Sequence, residues 1–424
     1  MATLIRNIKT LVNTRKENLL LRGRQLSELP LVHDAYLIVE NDRIAGFGPM
    51  EELHYAPQQF QTTLDATGRL VMPCWCDSHT HLVFAGSREA EFVDKINGLS
   101  YAEIAAKGGG ILNSARQVQA ASEDDLFRTA WSRLQEIISL GTGAVEIKSG
   151  YGLSLEGELK MLRVIQRLKQ AAPIPVKATF LGAHSLPPQY RERREEYISL
   201  IINEMLPVIK TEALADYIDV FCEHGFYTPE ETEQICRAGI AIGLKAKIHA
   251  NQLAVSGGVQ AGVRLGALSV DHLESMDDAA IETLAGSSTI GTLLPSAAFF
   301  LRMPYQPARQ LINAGCAIAL ASDYNPGSSP SGNMNVVVAL ACIQMKMLPE
   351  EAINAATING AFAMELEDVA GSIAVGKKAN LVITKPVPSL AYLPYAFGSN
   401  LVDQVWLNGA PYQSAAGQQM PLPV

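Results

Sequence analysis

Short apolar runs alternate with longer amphipathic segments through the middle of the chain, while both ends carry paired strand-like runs around tight polar turns. Near the N-terminus, residues 36–39 and 44–47 flank Asn41-Asp42, which is a hairpin signal. Near the C-terminus, residues 380–384 and 404–407 are strand-like, and Asn408-Gly409 closes the second run. Two β-rich ends bracketing a different middle predict one small β-domain built from residues 1–67 and 370–424. Residues 68–369 are then a separate unit.

In that unit the candidate strands are 70–74, 144–148, 176–181, 217–222, 244–248, 268–270, 289–293 and 317–321. Helices fill the gaps. Ser122 and the acids 123–125 open a helix over 126–140, with negative charge at the positive end of its dipole, and Gly141 stops it. Pro229-Glu230-Glu231 opens another. Eight strands alternating with helices over about 300 residues fit an α/β fold of the (β/α)8 barrel type. A doubly wound open sheet gives a similar alternation, and the placement of polar residues favours the barrel. The chain shows no internal repeat and no low-complexity tract.

Composition narrows the function classes. With 34 Lys+Arg against 43 Asp+Glu, the net charge is −9, which argues against nucleic acid as a partner. A chain that is 48% hydrophobic and 18% charged is not disordered. No segment approaches the ~18 apolar residues of a membrane span, and the basic, interrupted start is no secretory signal. The six cysteines are too sparse for a disulfide scaffold and read as buried thiols of a cytosolic protein.

Catalytic groups of such barrels sit at the C-terminal ends of the strands. Six of the eight histidines fall there: His79, His81, His184, His224, His249 and His272. Asp323 follows the eighth strand. In His79-Thr80-His81 the two imidazoles share one face of an extended chain, so both can reach one cation. Joined by His249 and Asp323, they form a three-His, one-carboxylate set suited to one divalent metal ion, Zn2+ or Fe2+, with Mn2+ close behind. Cys74 and Cys76 precede the motif within an apolar run and read as packing. A cation held there would lower the pKa of its water towards ~7, giving a hydroxide to attack a carbonyl.

These residues resemble the amidohydrolase superfamily. Asp77-Ser-His-Thr-His81 follows strand one, histidines follow strands five and six, and an aspartate follows strand eight. More narrowly, residues 79–88, 108–111, 146–153 and 323–330 look like the imidazolonepropionase family. The resemblance spans nearly the whole chain. It implies a barrel with a β-sandwich from both chain ends, and a cytoplasmic enzyme of histidine breakdown, with a homodimer as the superfamily's habit. The implied reaction opens 4-imidazolone-5-propanoate to N-formimidoyl-L-glutamate. His272 would polarise the ring carbonyl, and Asp323 would take the water proton and pass it to the leaving nitrogen. Arg88, Tyr151, His184, Asn325, Gly327 and Ser328 match positions that hold substrate or product, Arg88 gripping the anionic propanoate tail with its planar fork. His184 is expected to donate to the ring or the tail.

One position departs from many relatives. They carry a proton-shuttling Glu three residues after the strand-five His, where this chain has Gln252. An amide cannot act as a general base, so Gln252 is expected to bind substrate. Glu223 and His224 are expected to support the site, a bridging Glu223 being the binuclear alternative, and Lys148 lies on strand two, away from any bridging position. A cyclic-amidine deaminase is the alternative reading of the same frame, but it depends on the missing Glu. A catalytically inactive binding protein would lack a ligand, and all four are present.

Overall fold

The computed structural model describes residues 2–99, 103 and 107–413. Residue 1 and residues 414–424, expected in the β-domain, lie outside the described residues. Five strands come first: β1 (Ala2–Val12), β2 (Leu31–Glu40), β3 (Arg43–Pro49), β4 (Thr62–Asp65) and β5 (Leu70–Pro73). Eight follow: β6 (Trp75–Thr80), β7 (Thr142–Lys148), β8 (Val176–Ala183), β9 (Tyr217–Cys222), β10 (Lys245–Ala250), β11 (Ser269–His272), β12 (Ile290–Leu293) and β13 (Ala317–Leu320). The last three are β14 (Leu381–Thr384), β15 (Val402–Leu407) and β16 (Ala410–Pro411).

The two chain ends share one sheet, ordered β16-β15-β14-β5-β1-β2-β3 with β4 against β1. Both expected turns are present. Glu40 pairs with Arg43 across Asn41-Asp42. Leu407 pairs with Ala410 across Asn408-Gly409, whose φ values of 50° and 80° give the doubly left-handed turn that suits the twist of a hairpin. Inward residues from both ends, among them Ile5, Leu37, Val71, Leu381 and Trp406, pack into one core.

β6 to β13 form a second, parallel sheet in strict chain order. It closes into a barrel at its upper rim, where the Asp323 amide donates to the His79 carbonyl at 3.0 Å and the His81 amide donates to the Tyr324 carbonyl at 2.9 Å. The helices start where the sequence signals them. Ser122 Oγ accepts from the Asp125 amide to cap Glu123–Ser139, so the expected opening acids belong to the helix itself. Thr228 and Glu231 form a capping box on Pro229–Ala241.

One expected strand belongs elsewhere. Residues 70–74 are not the first barrel strand: β5 pairs with β1 and β14 in the terminal sheet, and the barrel begins at Trp75. The apolar run from 70 to 76 crosses between the sheets at Pro73-Cys74 with no change of character. The true first strand, Trp-Cys-Asp-Ser-His-Thr, is fully buried although four of its six residues are polar, because it leads into the site. The terminal sheet thus extends past the expected break at 67. All six cysteines are free thiols, and Cys74 and Cys76 are buried in packing. No described helix is long and apolar enough to cross a membrane.

Candidate metal centre

Five side chains meet where the parallel strands end. β6 supplies His79 and, one residue beyond its end, His81; β10 supplies His249; β11 ends on His272; Asp323 follows β13. All five are buried. The His79 ring lies 4.5 Å from that of His249 and 5.3 Å from that of His81, centroid to centroid. Asp323 Oδ1 is 3.4 Å from His79 Nε2 and 3.6 Å from His81 Nε2. Donor atoms of His79, His81 and His249 lie within 4.8 Å of one another, as do those of His79, His272 and Asp323.

Two aspartates set the tautomers. His79 Nδ1 donates to Asp271 Oδ2 at 2.7 Å, and His249 Nδ1 donates to Asp219 Oδ2 at 2.9 Å. A carboxylate only accepts, so in each neutral ring the lone pair is on Nε2, the arrangement a metal ligand needs. Burial and neighbouring positive groups hold His79, His81 and His249 well below the usual imidazole pKa, so they are neutral at pH 7. His79 Nε2 and His81 Nδ1 are buried without a hydrogen-bond partner. An orphaned buried nitrogen costs about 1–3 kcal/mol, and a divalent cation bound by this donor set would relieve that cost. The residues present fit one divalent metal ion.

Charge divides the remaining two groups. Burial pushes the Asp323 carboxyl up to about 6 against the pull of His272 and Ser328. Burial opposes a charge on His272, but Glu274, with Oε1 3.5 Å from its Nδ1, together with Asp323 and Asp271 raises the pKa above the usual imidazole value. The chain bends sharply to present these groups: φ is 54° at Asn251, 89° at His272, 68° at Leu273 and 53° at Asp323. Left-handed backbone at non-glycine residues costs of order 1–3 kcal/mol each and gathers at functional sites.

The expected substrate residues surround this cluster unevenly. Tyr151, His184, Gln252, Asn325 and Ser328 line one small cavity, of about 50 Å³, together with His81, His249, His272 and Asp323. His184 stacks on His81 with centroids 5.3 Å apart, and its Nδ1 donates to the Gly150 carbonyl at 3.1 Å. Burial lowers its pKa to about 4, so the ring is neutral and its Nε2 accepts. That geometry opposes the expected donor role. In the 323–328 turn, Asn325 Oδ1 accepts from the amides of Gly327 and Ser328, both at 2.8 Å, and Ser328 Oγ donates to Asp323 Oδ2 at 3.1 Å. The Gly327 amide is therefore engaged within its own turn.

Arg88 does not line this cavity and lies beside Gly327 of the 323–328 turn. Its Nε donates to Glu91 Oε2 at 2.8 Å, and Glu91 Oε1 accepts from the Gly110 amide. A Cβ at Gly327 would lie 2.2 Å from Arg88 Nη1, so this glycine leaves the guanidinium its place. A larger cavity of about 440 Å³ lies beyond, lined by Arg88, Arg133 and several aromatic residues including Phe92 and Phe300. The histidines line the smaller one, and chemistry outweighs size in locating the site.

Glu223 accepts from the amides of His224 and Leu253 at 2.8 and 2.9 Å, which ties down the loop carrying Gln252. Asp219, Asp271, Glu91 and Glu274 were not singled out in the sequence. The signal for Asp271 was available: 146/148, 247/249 and 269/271 are polar pairs two apart within otherwise apolar strands, the period of an inward barrel face, whereas Asp219 is a lone acid within 217–222.

Comparison with known proteins supplies the family. The Amidohydrolase family profile matches residues 70–411. An imidazolonepropionase of Flavobacterium johnsoniae is 56% identical over 411 residues, covering 96% of this chain and 99% of that protein. One of Christiangramia forsetii is 54% identical, with the same shares covered. Among solved structures, a 5-methylcytosine deaminase from Klebsiella pneumoniae superposes with a TM-score of 0.72 at 17% identity over the full length of both chains, a likeness of fold.

Proposed function

The chain belongs to the amidohydrolase family, in its imidazolonepropionase branch, and we propose that it hydrolyses the cyclic amide of 4-imidazolone-5-propanoate to N-formimidoyl-L-glutamate. The observation that carries this reading is the meeting of His79, His81, His249 and Asp323 at one point, with Gln252 in place of a general base. His79, His81, His249 and Asp323 would hold one ion, Zn2+ or Fe2+, since three imidazoles and a carboxylate suit both. When bound, the ion supplies a water of lowered pKa and a Lewis acid for the carbonyl.

The chain's own residues do the rest. His272, whose pKa is raised above the usual imidazole value, donates to the ring carbonyl oxygen and stabilises the negative charge that develops on it. Asp323, with a pKa near 6, takes a proton at Oδ1 or Oδ2 and returns it to the departing ring nitrogen. Ser328 steadies that carboxylate from one side. His184, neutral with Nδ1–H committed to Gly150, accepts from a ring N–H at Nε2. Arg88, braced by Glu91, grips the propanoate carboxylate, and Gln252 orients the ring. Tyr151, Asn325 and Gly327 complete the walls of the substrate and product site.

The enzyme is further proposed to act as a homodimer in the cytoplasm with no nucleic-acid partner. The test is to supply imidazolone propanoate to metal-replete protein and follow loss of ring absorbance together with ammonia release. Ring loss without ammonia supports amide opening; ammonia would indicate the deaminase alternative. Gln252→Ala should raise KM about tenfold and leave kcat within about threefold, the pattern of lost binding.

A further inference from the structure

Beneath the imidazoles the barrel interior holds a dry layer of charge: Glu146 and Lys148 on β7, Asp219 on β9, Lys247 on β10 and Asp271 on β11, all at most 1% exposed. Lys148 Nζ lies 2.7 Å from Glu146 Oε1, 2.8 Å from Asp219 Oδ2 and 3.5 Å from Asp271 Oδ2. The last two oxygens are the same atoms that accept the Nδ1–H groups of His249 and His79. One ammonium therefore touches both of the oxygens that fix two ligand imidazoles on opposite strands.

We propose that Lys148 is a positioning residue of the metal centre, holding His79 and His249 at once through Asp271 and Asp219. The inference rests on the ligand assignment made above. Three carboxylates and two ammoniums share the layer, and Lys247 is engaged elsewhere, with Glu146 and the carbonyls of Ser78 and Ala363. Asp219 and Asp271 lie on the two strands that flank β10, and without Lys148 no ammonium among the described residues stands within ion-pair distance of either, so their like charges in a dry interior separate. Each would carry its imidazole away from the common point. A strand-two lysine that reaches no ligand thus sets the geometry of two.

Lys148→Met alone leaves an uncompensated buried charge and can fail to fold. Combining it with Glu146→Gln restores the charge balance while still removing the shared contact. Zinc affinity of the full-length chain is measured by chelator competition, and the visible spectrum is recorded with Co2+ in place of zinc. The unfolding midpoint of the metal-free protein is followed alongside. The double variant should fold, bind zinc about 10–100-fold more weakly and show an altered Co2+ spectrum. Zinc affinity within about twofold of the parent overturns the inference, as does weakening that follows metal-free stability with an unchanged Co2+ spectrum. A parent that binds no metal overturns the ligand assignment and this inference with it. A parent that binds metal without opening the imidazolone ring overturns the proposed reaction alone.

Discussion

The backbone amide of Asp323 donates to the carbonyl of His79 at 3.0 Å, while the two side chains face each other at 3.4 Å. Barrel closure and ligand convergence are therefore one feature, because the hydrogen bond that joins the last strand to the first also brings the ends of the ligand set together. Residues 244 positions apart in the chain meet at this seam, where the His81 amide also donates to the Tyr324 carbonyl and Ser322 binds Asp77.

Replacing the side chain while keeping that contact separates its two roles. Asp323→Asn retains the amide, so the far-ultraviolet circular dichroism should match the parent. The variant loses the anionic ligand and the proton carrier, and kcat should fall by at least about 10²-fold, with metal content reduced. Unfolding of this variant would show that the carboxylate, and not the backbone seam, holds the barrel closed.

In the proposed mechanism His272 and Asp323 act in opposite protonation states, which fixes the sign of the pH response. Asp323 must be ionised, so activity falls on the acid side, at a pH below about 6 once a cation is bound, because the cation favours the carboxylate over its burial-raised metal-free state. His272 must be protonated, so activity falls again as pH rises past its own pKa, which is raised above the usual imidazole value. A bell-shaped kcat/KM profile is expected. In His272→Asn the alkaline limb should disappear and kcat should drop by about 10²–10³-fold with metal retained.

The Arg88–Gly327 contact predicts that two unlike substitutions act alike. Arg88→Lys removes the planar fork, and Gly327→Ala places a methyl group where Nη1 now lies. Both should raise KM for the propanoate substrate, by about tenfold or more, with smaller effects on kcat. A substrate analogue lacking the carboxylate should be insensitive to either change. Steady-state kinetics on the pair of substrates decides it.

Much of this was legible in the chain. The hairpins at Asn41-Asp42 and Asn408-Gly409, the alternation that makes a barrel, and the shared face of His79 and His81 each rest on local signals of short range. The first barrel strand was not legible, because residues 70–76 are continuously apolar and the change of sheet at Pro73 leaves no mark in hydrophobicity. His184 lines the cavity beside His81 but reads as a donor in the sequence. Only the Gly150 carbonyl beside its Nδ1 shows that Nε2 must accept. The glycine there is required: its φ is 108°, and a Cβ would lie 2.8 Å from that nitrogen. The sequence matches Asn325, Gly327 and Ser328 to substrate-holding positions but does not show that folding spends the Gly327 and Ser328 amides on Asn325 itself.

His184 also makes a stability prediction whose sign follows from linkage. Its pKa falls from the ordinary 6.5 to about 4 on folding. The unfolded chain therefore binds this proton first, and stability present above pH 6.5 is lost as pH falls towards 4. Metal-free parent protein should lose about 1–2 kcal/mol through this residue between pH 7.5 and 5. His184→Asn does not titrate, so its destabilisation relative to the parent should shrink by that amount on acidification. Urea unfolding at the two pH values measures it, and a difference independent of pH would contradict the assigned state of the ring.

The most direct measurement is anomalous diffraction from crystals of metal-replete protein. A single peak per chain, within about 2.0–2.2 Å of ligand atoms from His79, His81, His249 and Asp323, is the expected result. A second peak at Glu223, or an ion bound away from Asp323, would contradict it.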